Sequence, residues 1–255
     1  MKLRLMCFEV VVFVSLTVAS PGFLHAASGG TFVNVGDMTM SRIFHGMALL
    51  PDGKVLIAGG VSSSGLTASA EIYDPSAQTF TATGSMMNAR SFCGAGDAPV
   101  SLANGKVFVV AGALNFNIIS TAELFDEASG SFSLTGSMST ARACPIVTLL
   151  ADGKVLVAGG YDQSLQFLNT AEIYDPATGT FSPTNGNLVT ARGAAIGVLL
   201  LSGKVLIIGG AGNSQGGSKP TSERQGASDR VWSKDPCISL RPRDRFLFCD
   251  QSGGF

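Results

Sequence analysis

The sequence predicts an all-β fold of repeated four-stranded antiparallel blades, and three observations lead to it. A segment that begins Gly-Lys-Val recurs from Gly53, Gly105, Gly153 and Gly203. Glycine fills 32 positions whereas only 14% of the residues are charged, a composition typical of many turns and short strands. The interval of about fifty residues between copies is typical of propeller blades. We therefore expect an incomplete β-propeller with three full blades and a partial one.

Two further landmarks recur in the same register. The segment Ala-Glu-Ile-Tyr-Asp occupies residues 70–74, returns as Ala-Glu-Leu-Phe-Asp at 122–126, and recurs unchanged at 171–175. An arginine precedes each unit, at Arg42, Arg90, Arg142 and Arg192. Landmarks in a constant order identify one structural unit that is repeated along the chain.

Local chemistry divides the unit into four strands. Apolar runs at Gly46 to Leu50 and Val55 to Ala58 flank Asp52-Gly53, a pair that favours a type I′ turn, so they predict a hairpin. The second run has few polar residues, which favours a strand buried on both faces. We expect a third strand from Ser69 to Tyr73, ended by an Asp-Pro pair, and a fourth from Thr79 to Thr83.

The repeat resembles the Kelch family over residues 31–210. The positions that carry the resemblance or its equivalents are Gly59, Gly60, Gly112, Gly159, Gly160, Gly209, Gly210, Tyr73, Tyr174, Phe80, Phe132 and Phe181. Family blades usually carry Trp where this chain has Phe80, Phe132 and Phe181, and the second unit has Gly112-Ala113 in place of a glycine doublet. The resemblance implies a divergent, bacterial-type secreted Kelch protein with a propeller like that of galactose oxidase.

The repeat pattern stops after Gly210, since no further Ala-Glu-Ile-Tyr-like strand follows at the expected distance. We expect residues 211–255 to form an irregular or disordered tail. Two interpretations stay open: the reading frame shifts or the gene is truncated here, or the tail is a natural linker. Residues 31–36 match the fourth strand of a unit, so they are placed to complete the last blade and close the ring.

The first residues have the order of a secretory signal peptide. Lys2 and Arg4 precede an apolar run over residues 5–19, and small residues follow at Ala26 and Ala27. About fifteen apolar residues fall short of the roughly twenty that span a bilayer. We expect a signal peptide over residues 1–27, cleaved near Ala26, no membrane span, and a secreted, periplasmic or cell-surface protein.

Four cysteines remain after that cleavage. Their even number permits disulfides without showing them. Cys237 and Cys249 are close enough in sequence to close a small loop, whereas Cys93 and Cys144 lie in different repeats. We expect Cys93 and Cys144 to be buried free thiols.

The residue inventory argues against the enzymes that the resemblance suggests. Copper oxidases resembling galactose oxidase need two His and two Tyr, whereas this chain has only His25 and His45, and His25 leaves with the signal peptide. His45, Cys93 and Cys144 follow the repeat arginines at similar distances, but they lack the paired spacing of a zinc site, which favours packing. We expect no metal and no cofactor. A formal net charge of −1 argues against a nucleic-acid surface.

The four repeat arginines allow two interpretations. A circle of guanidinium groups at one channel mouth would bind carboxylates of acidic peptides or glycans. Alternatively, each arginine ties its blade to a neighbour through Glu71, Glu123 or Glu172, which also recur once per blade. The structural role is favoured, because residues present in every repeat usually serve the fold.

The loops between second and third strands share little sequence, and variable loops on a rigid scaffold are where binding usually resides. The candidate contact residues are Asn115, Phe116, Asn117, Tyr161, Asp162, Gln163 and Gln166. The sequence thus favours a non-catalytic, exported module that binds a protein or glycan through these loops, with self-association as a way to close the ring. The alternative is a fragment of an oxidase-like or sugar-epimerase-like enzyme whose catalytic residues are missing.

Overall fold

The computed structural model describes residues 34–94, 96–114 and 117–212. The expected signal peptide, residues 31–33 of the expected closing strand, and residues 213–255 of the expected tail, which include Cys237 and Cys249, lie outside these ranges, whereas Ala211–Gly212 form a strand and not the expected irregular tail. Within them the chain forms β-strands and no helix, so the all-β prediction is confirmed. No described helix is long and apolar enough to cross a membrane.

The first blade is a four-stranded antiparallel sheet with a small hairpin in its second loop. Its strands are β1 (Gly46–Leu49), β2 (Val55–Ala58), β3 (Val61–Ser62), β4 (Gly65–Leu66), β5 (Ala70–Asp74) and β6 (Thr79–Thr83). The sheet has the order β1-β2-β5-β6, and β3 pairs with β4. These bounds match the four predicted strands to within one residue.

Two more full blades and a partial one follow. The second contains β7 (Val100–Ser101), β8 (Val107–Val110), β9 (Ala113–Leu114), β10 (Asn117–Ile118), β11 (Ala122–Asp126) and β12 (Ser131–Leu134). The third contains β13 (Ile146–Leu149), β14 (Val155–Ala158), β15 (Ala171–Asp175) and β16 (Thr180–Pro183). The fourth contains β17 (Arg192–Gly193), β18 (Ile196–Leu199), β19 (Val205–Ile208) and β20 (Ala211–Gly212). The strand orders repeat those of the first blade, except that the fourth blade has only the β18-β19 hairpin of the main sheet.

The hairpin of each blade turns at the predicted glycine. In blade 1, Leu49 pairs with Val55, and Leu50 N–H donates to the carbonyl of Lys54 at 2.8 Å. Gly53 has a φ of 87°, a left-handed value that costs a residue without a Cβ little. The turn spans residues 51–53 and only Gly53 in it has a left-handed φ, so it is not the type I′ turn that the Asp-Gly pair predicted, although the predicted hairpin forms.

The hydrophobic core lies between neighbouring blades. In the second strand of blade 2, Val107 and Val109 pack toward blade 1, whereas Phe108 and Val110 pack toward blade 3. Successive side chains of a strand point to opposite faces, so one strand supplies both cores. The prediction that the second strand is buried on both faces is confirmed for β8.

The row of blades ends in two exposed apolar faces. On blade 1, Met47 and Leu49 are exposed. On blade 4 the exposed face consists of the cross-strand pairs Ile196 with Ile208 and Val198 with Leu206. In the interior of the row, equivalent faces are covered by the next blade.

Blade 2 differs from the other blades in the segment before its first strand, which we call the inner strand of the blade. Arg90 precedes Gly105 by 15 positions, whereas Arg42 precedes Gly53 by 11. The four extra residues fall in the segment that contains Cys93 and Asp97. The inner strand β7 has only two residues, whereas β1, β13 and β18 each have four.

Candidate functional site

The variable loops and the inter-blade connectors lie at the same edge of the sheets. The second strand of a blade runs antiparallel to the first, so the loop after the second strand emerges where the first strand begins. We define the loop face as the surface formed by residues 61–69, 111–114, 117–121 and 159–170 together with the described segments that precede β1, β7 and β13. The hairpin turns at Gly53, Gly105 and Gly153 lie at the opposite edge.

Three of the repeat arginines form buried ion pairs on this side of the molecule. The distance between arginine Nη2 and glutamate Oε1 is 2.7 Å for Arg42–Glu71, 2.7 Å for Arg90–Glu123 and 2.9 Å for Arg142–Glu172. All six side chains are almost entirely buried, so these guanidinium groups offer no surface to a ligand. The interpretation of these three arginines as a ligand-binding circle is therefore not supported by their positions.

The same groups fasten the inter-blade connector to the blade that follows it. Arg42 Nη1 donates to the carbonyls of Gly59 and Ser69, at 2.9 and 2.7 Å. Glu71 accepts the backbone N–H groups of Thr39 and Met40. The ion pair thus lies within one blade, and neighbouring blades are joined through the connector, which refines the predicted tie between neighbours.

Arg192 follows the same pattern only in part. Its Nη1 donates to the carbonyl of Gly209 at 3.0 Å, as Arg42 does to Gly59. The described part of blade 4 ends before a third strand, the strand that carries the glutamate in the other blades. Arg192 is only partly buried. Arg192 is therefore the one predicted arginine that keeps exposed surface.

The predicted contact residues divide between two loops that touch. Asn115 and Phe116 lie outside the described residues, whereas Asn117 is exposed. In the next residue, the Ile118 N–H donates to Gln163 Oε1 at 2.7 Å. This bond joins the second loop of blade 2 to the second loop of blade 3, so residues 117–118 and 163 form one continuous surface.

The loop of blade 3 presents an apolar tip that the sequence analysis missed. Asp162 accepts the N–H groups of Ser164 and Gln166 at 2.9 and 3.0 Å, which closes the turn. Leu165 lies at its tip with a φ of 59° and 70% of its surface exposed. Behind the tip, Tyr161 makes an edge-on contact with Phe167, with 6.1 Å between the ring centroids.

Cys93 and Cys144 form a disulfide, so the prediction of buried free thiols was wrong. Their Cα atoms are 5.2 Å apart, and the bond joins the inserted segment of blade 2 to the start of blade 3. Cys93 is exposed whereas Cys144 is buried. The sequence analysis could not predict this disulfide, because the two cysteines are 51 positions apart.

Asp97 lies beside this disulfide and was also missed. Its carboxylate accepts the Cys93 N–H through both oxygens, at 3.0 and 2.9 Å, and only 2% of the residue is exposed. Burial raises the pKa of Asp97 to about 6. Burial, and then the negative charge of Asp97, raise the pKa of Tyr161. The sequence signal for this cluster was the lengthened interval between Arg90 and Gly105.

His45 does not join this cluster. Among the described residues, Cys93, Asp97 and Cys144 bring two sulfur atoms and a carboxyl group within 4.8 Å of one another, but the two sulfurs are bonded to each other and offer no thiolate to a metal. His45 is partly buried, its Nδ1 has no hydrogen-bond partner among the described residues, and burial lowers its pKa. The expectation that the chain binds no metal stays a prediction.

The fold and its repeated ion pair define an incomplete propeller of four-stranded antiparallel blades. The family model of the Kelch motif matches residues 48–87, which cover most of blade 1, and residues 142–185, which contain blade 3. A comparison with curated proteins found no match. The motif matches support a Kelch-repeat family, and Kelch repeats commonly mediate protein interactions.

Proposed function

We propose that the chain is an exported, non-catalytic module that binds a protein through its loop face. The observation that carries this proposal is that the arginines repeated in blades 1 to 3 are buried, whereas the variable loops are exposed. Arg42, Arg90 and Arg142, which recur, are buried in the frame, whereas the loops that differ are exposed and contact one another. Variable loops on a rigid scaffold are the usual location of binding residues.

The chemistry of the loop face favours a protein ligand over a glycan. Leu165 is an exposed apolar side chain at a turn tip, next to the polar side chains of Gln163 and Gln166. An apolar anchor within a polar rim is typical of protein interfaces. The polar groups near it are the amides of Gln163 and Gln166 and the carboxyl group of Asp162, none of which is positively charged, so electrostatic recognition of a glycan carboxylate has little support here.

Export is supported by the disulfide and by the signal-like amino terminus. Disulfides persist mainly in oxidising compartments such as the periplasm or the extracellular space. The bond between Cys93 and Cys144 fits such a location. Amino-terminal sequencing of the protein from the envelope and medium fractions of source cells tests export, and recovery of the uncleaved chain in the cytosol alone contradicts it.

Binding is tested with a photo-crosslinking amino acid placed at Gln166 in the full-length chain. We expect crosslinks to a protein in intact source cells, and their loss when Leu165→Ser is added. The matched control places the crosslinker at Ala151, which is exposed at the hairpin turn on the opposite edge of blade 3 and lies away from the end face of blade 4. Equal crosslinking from both positions contradicts the proposal, as does binding to a glycan array that Leu165→Ser leaves unchanged.

A second copy of the chain is the partner that the two end faces favour. Inside the molecule, each blade covers the apolar face of its neighbour, and the exposed faces of blades 1 and 4 are the two unmatched halves of that same interface. Because the two halves differ, the contact is head to tail, and it forms a closed ring when the rotation permits.

Self-association is tested by sedimentation of the full-length chain over a concentration series. We expect a concentration-dependent oligomer that Val198→Asp with Leu206→Asp reduces to monomer, because both residues lie on the exposed face of blade 4. Leu165→Ser is the control and leaves the oligomer intact. A monomer at all concentrations contradicts self-association and leaves the loop-face proposal standing.

The alternative of an enzyme fragment has less support. His45 is the one histidine within the described ranges, so a site of the copper-oxidase type lacks its second histidine there. The described cluster of Cys93, Asp97 and Cys144 contains no histidine base, which hydrolytic mechanisms commonly need. A binding module remains the function that the described residues favour.

A further inference from the structure

The inserted segment of blade 2 has no counterpart in the other blades. Blades 1 and 3 reach the same sheet order with four fewer residues between arginine and hairpin glycine. The insertion shortens the inner strand β7 and brings together Cys93 and Asp97 next to Cys144 of the next blade. The insertion also contributes to packing, since the Val147 N–H donates to the Gly96 carbonyl at 2.7 Å, and in addition it brings two sulfur atoms and a carboxyl group together.

The two sulfur atoms of the disulfide have unlike surroundings. Cys93 is an exposed residue, and we infer that its sulfur is the one that a small thiol reaches from solvent. Cys144 is 5% exposed, and its sulfur is shielded. The carboxyl group of Asp97 lies within 4.8 Å of both sulfurs, a separation that one water molecule can bridge for proton transfer.

The fold of the blade, and not the disulfide, determines the backbone conformation at Cys144. Its φ is 50°, and the residues at the same register in blades 1 and 4, Phe44 and Ala194, have φ values of 54° although they form no disulfide. Ala194 N–H also donates to the Cys144 carbonyl at 2.9 Å. Cys144 therefore keeps its position when the sulfur bond opens.

We propose that Cys93–Cys144 is an exchangeable disulfide, in which Cys93 accepts a small-molecule thiol, Cys144 is the leaving sulfur and Asp97 supplies its proton. The accessible sulfur is the one attacked, because thiol–disulfide exchange depends on access and on the leaving group. This proposal is independent of the loop-face function.

The exchange balances with two equivalents of a thiol such as glutathione. A glutathione thiolate attacks Cys93 Sγ and the bond to Cys144 Sγ breaks, while the Cys144 sulfur takes the electron pair and receives the Asp97 proton through one water molecule in the same step. A second thiolate attacks the glutathione sulfur on Cys93, which releases oxidised glutathione and the Cys93 thiolate. Two thiols are oxidised, the protein disulfide is reduced, and Asp97 regains a proton from solvent.

The groups around Asp97 do not compete for this role. The Cys93 N–H donates to it, and the Tyr161 hydroxyl is the titratable group that senses its charge. Tyr161 keeps its proton at neutral pH because burial raises its pKa. No lysine or arginine forms an ion pair with Asp97 among the described residues.

The test follows reduction of this bond in the folded, full-length protein. Glutathione is added without denaturant, samples are quenched with an alkylating reagent, and the peptides that contain Cys93 and Cys144 are quantified by mass spectrometry. We expect a rate that rises in proportion to the thiolate concentration. A rate that is independent of glutathione overturns the proposal, because an inert disulfide opens only as fast as the protein unfolds.

Variants separate the three roles. Cys144→Ser is expected to form a mixed disulfide with oxidised glutathione at Cys93, and Cys93→Ser is expected to leave Cys144 unmodified. Asp97→Asn is expected to slow reduction by about a hundredfold and to abolish the inflection near pH 6 in the pH–rate profile. The control, Asp152→Asn, changes an exposed carboxyl on the opposite edge. Equal rates in both aspartate variants, or equal labelling of the two single cysteines, overturn the assignment.

Discussion

Arg90 and Glu123 face each other in the interior of blade 2, with 2.7 Å between Nη2 and Oε1 and neither side chain exposed to solvent. Arg90 also donates to the carbonyl of Ala111 at 2.8 Å, and Glu123 accepts the N–H of Met87 at 2.6 Å. Burial lowers the pKa of Arg90, and the carboxylate of Glu123 opposes that effect. Each charge is therefore tolerated in the interior because the other is present.

Glu123→Gln is expected to lower the free energy of unfolding by about 3 kcal/mol, since it leaves the Arg90 charge buried without its partner. Urea denaturation of the full-length chain measures the change. Lys106→Gln is the matched control, because its pair with Asp126 is exposed and such pairs contribute less than about 1 kcal/mol. Equal losses in the two variants would contradict the structural role of the buried pair.

Gly60→Ala is expected to destabilise the protein more than Gly53→Ala. Both glycines have left-handed φ values, 93° and 87°, which cost an alanine about 1 kcal/mol. A Cβ on Gly60 would also lie 2.5 Å from the carbonyl oxygen of Ile43, whereas one on Gly53 would meet nothing within 4 Å. Overpacking of this kind adds about 1 to 3 kcal/mol. Thermal unfolding of both variants measures the difference, and equal melting temperatures would show that close packing at Gly60 is unimportant.

The strands were predictable because their signals are local. The Asp52-Gly53 turn fixes β1 against β2, and the alternation from Ala70 to Asp74 sets β5. Because the sequence repeats, each strand predicted in blade 1 also predicted the equivalent strand in the following blades. Blade 2 was the exception, because its four extra residues replaced part of the inner strand β7.

The site was less predictable because it depends on contacts between residues that are far apart in the sequence. The repeat arginines were found from their register in the sequence. Their burial against Glu71, Glu123 and Glu172, which indicates a structural role and not a ligand-binding role, was visible only in the three-dimensional structure. The disulfide joins residues 51 positions apart, and no local pattern encodes that pairing. Asp97 has no repeat counterpart from which a role could be inferred.

Replacing both disulfide cysteines is expected to lower the stability of the folded state. A bond that closes a loop of 51 residues contributes about 4 kcal/mol by restricting the unfolded chain. The measurement compares urea denaturation of the oxidised wild type with that of Cys93→Ser combined with Cys144→Ser. Reduced wild type is the control and is expected to match the double variant. A double variant as stable as the oxidised protein would mean that the bond constrains nothing.

Asp97 is expected to make stability fall as the pH rises. Its pKa lies at about 6 in the folded protein, above its ordinary value of 3.8, because burial disfavours the charged form. The stabilisation from this group is fully present below pH 3.8 and is lost as the pH rises through 6, a change of about 3 kcal/mol. Asp97→Asn removes this dependence. The variant is therefore expected to become more stable relative to the wild type as the pH rises from 4 to 8.

Asp126→Asn serves as the control with the opposite sign, because hydrogen bonds from Ser129 lower the pKa of Asp126 and its contribution to stability is lost as the pH falls. Parallel stability curves for wild type and Asp97→Asn would show that the buried carboxyl group does not titrate in this range.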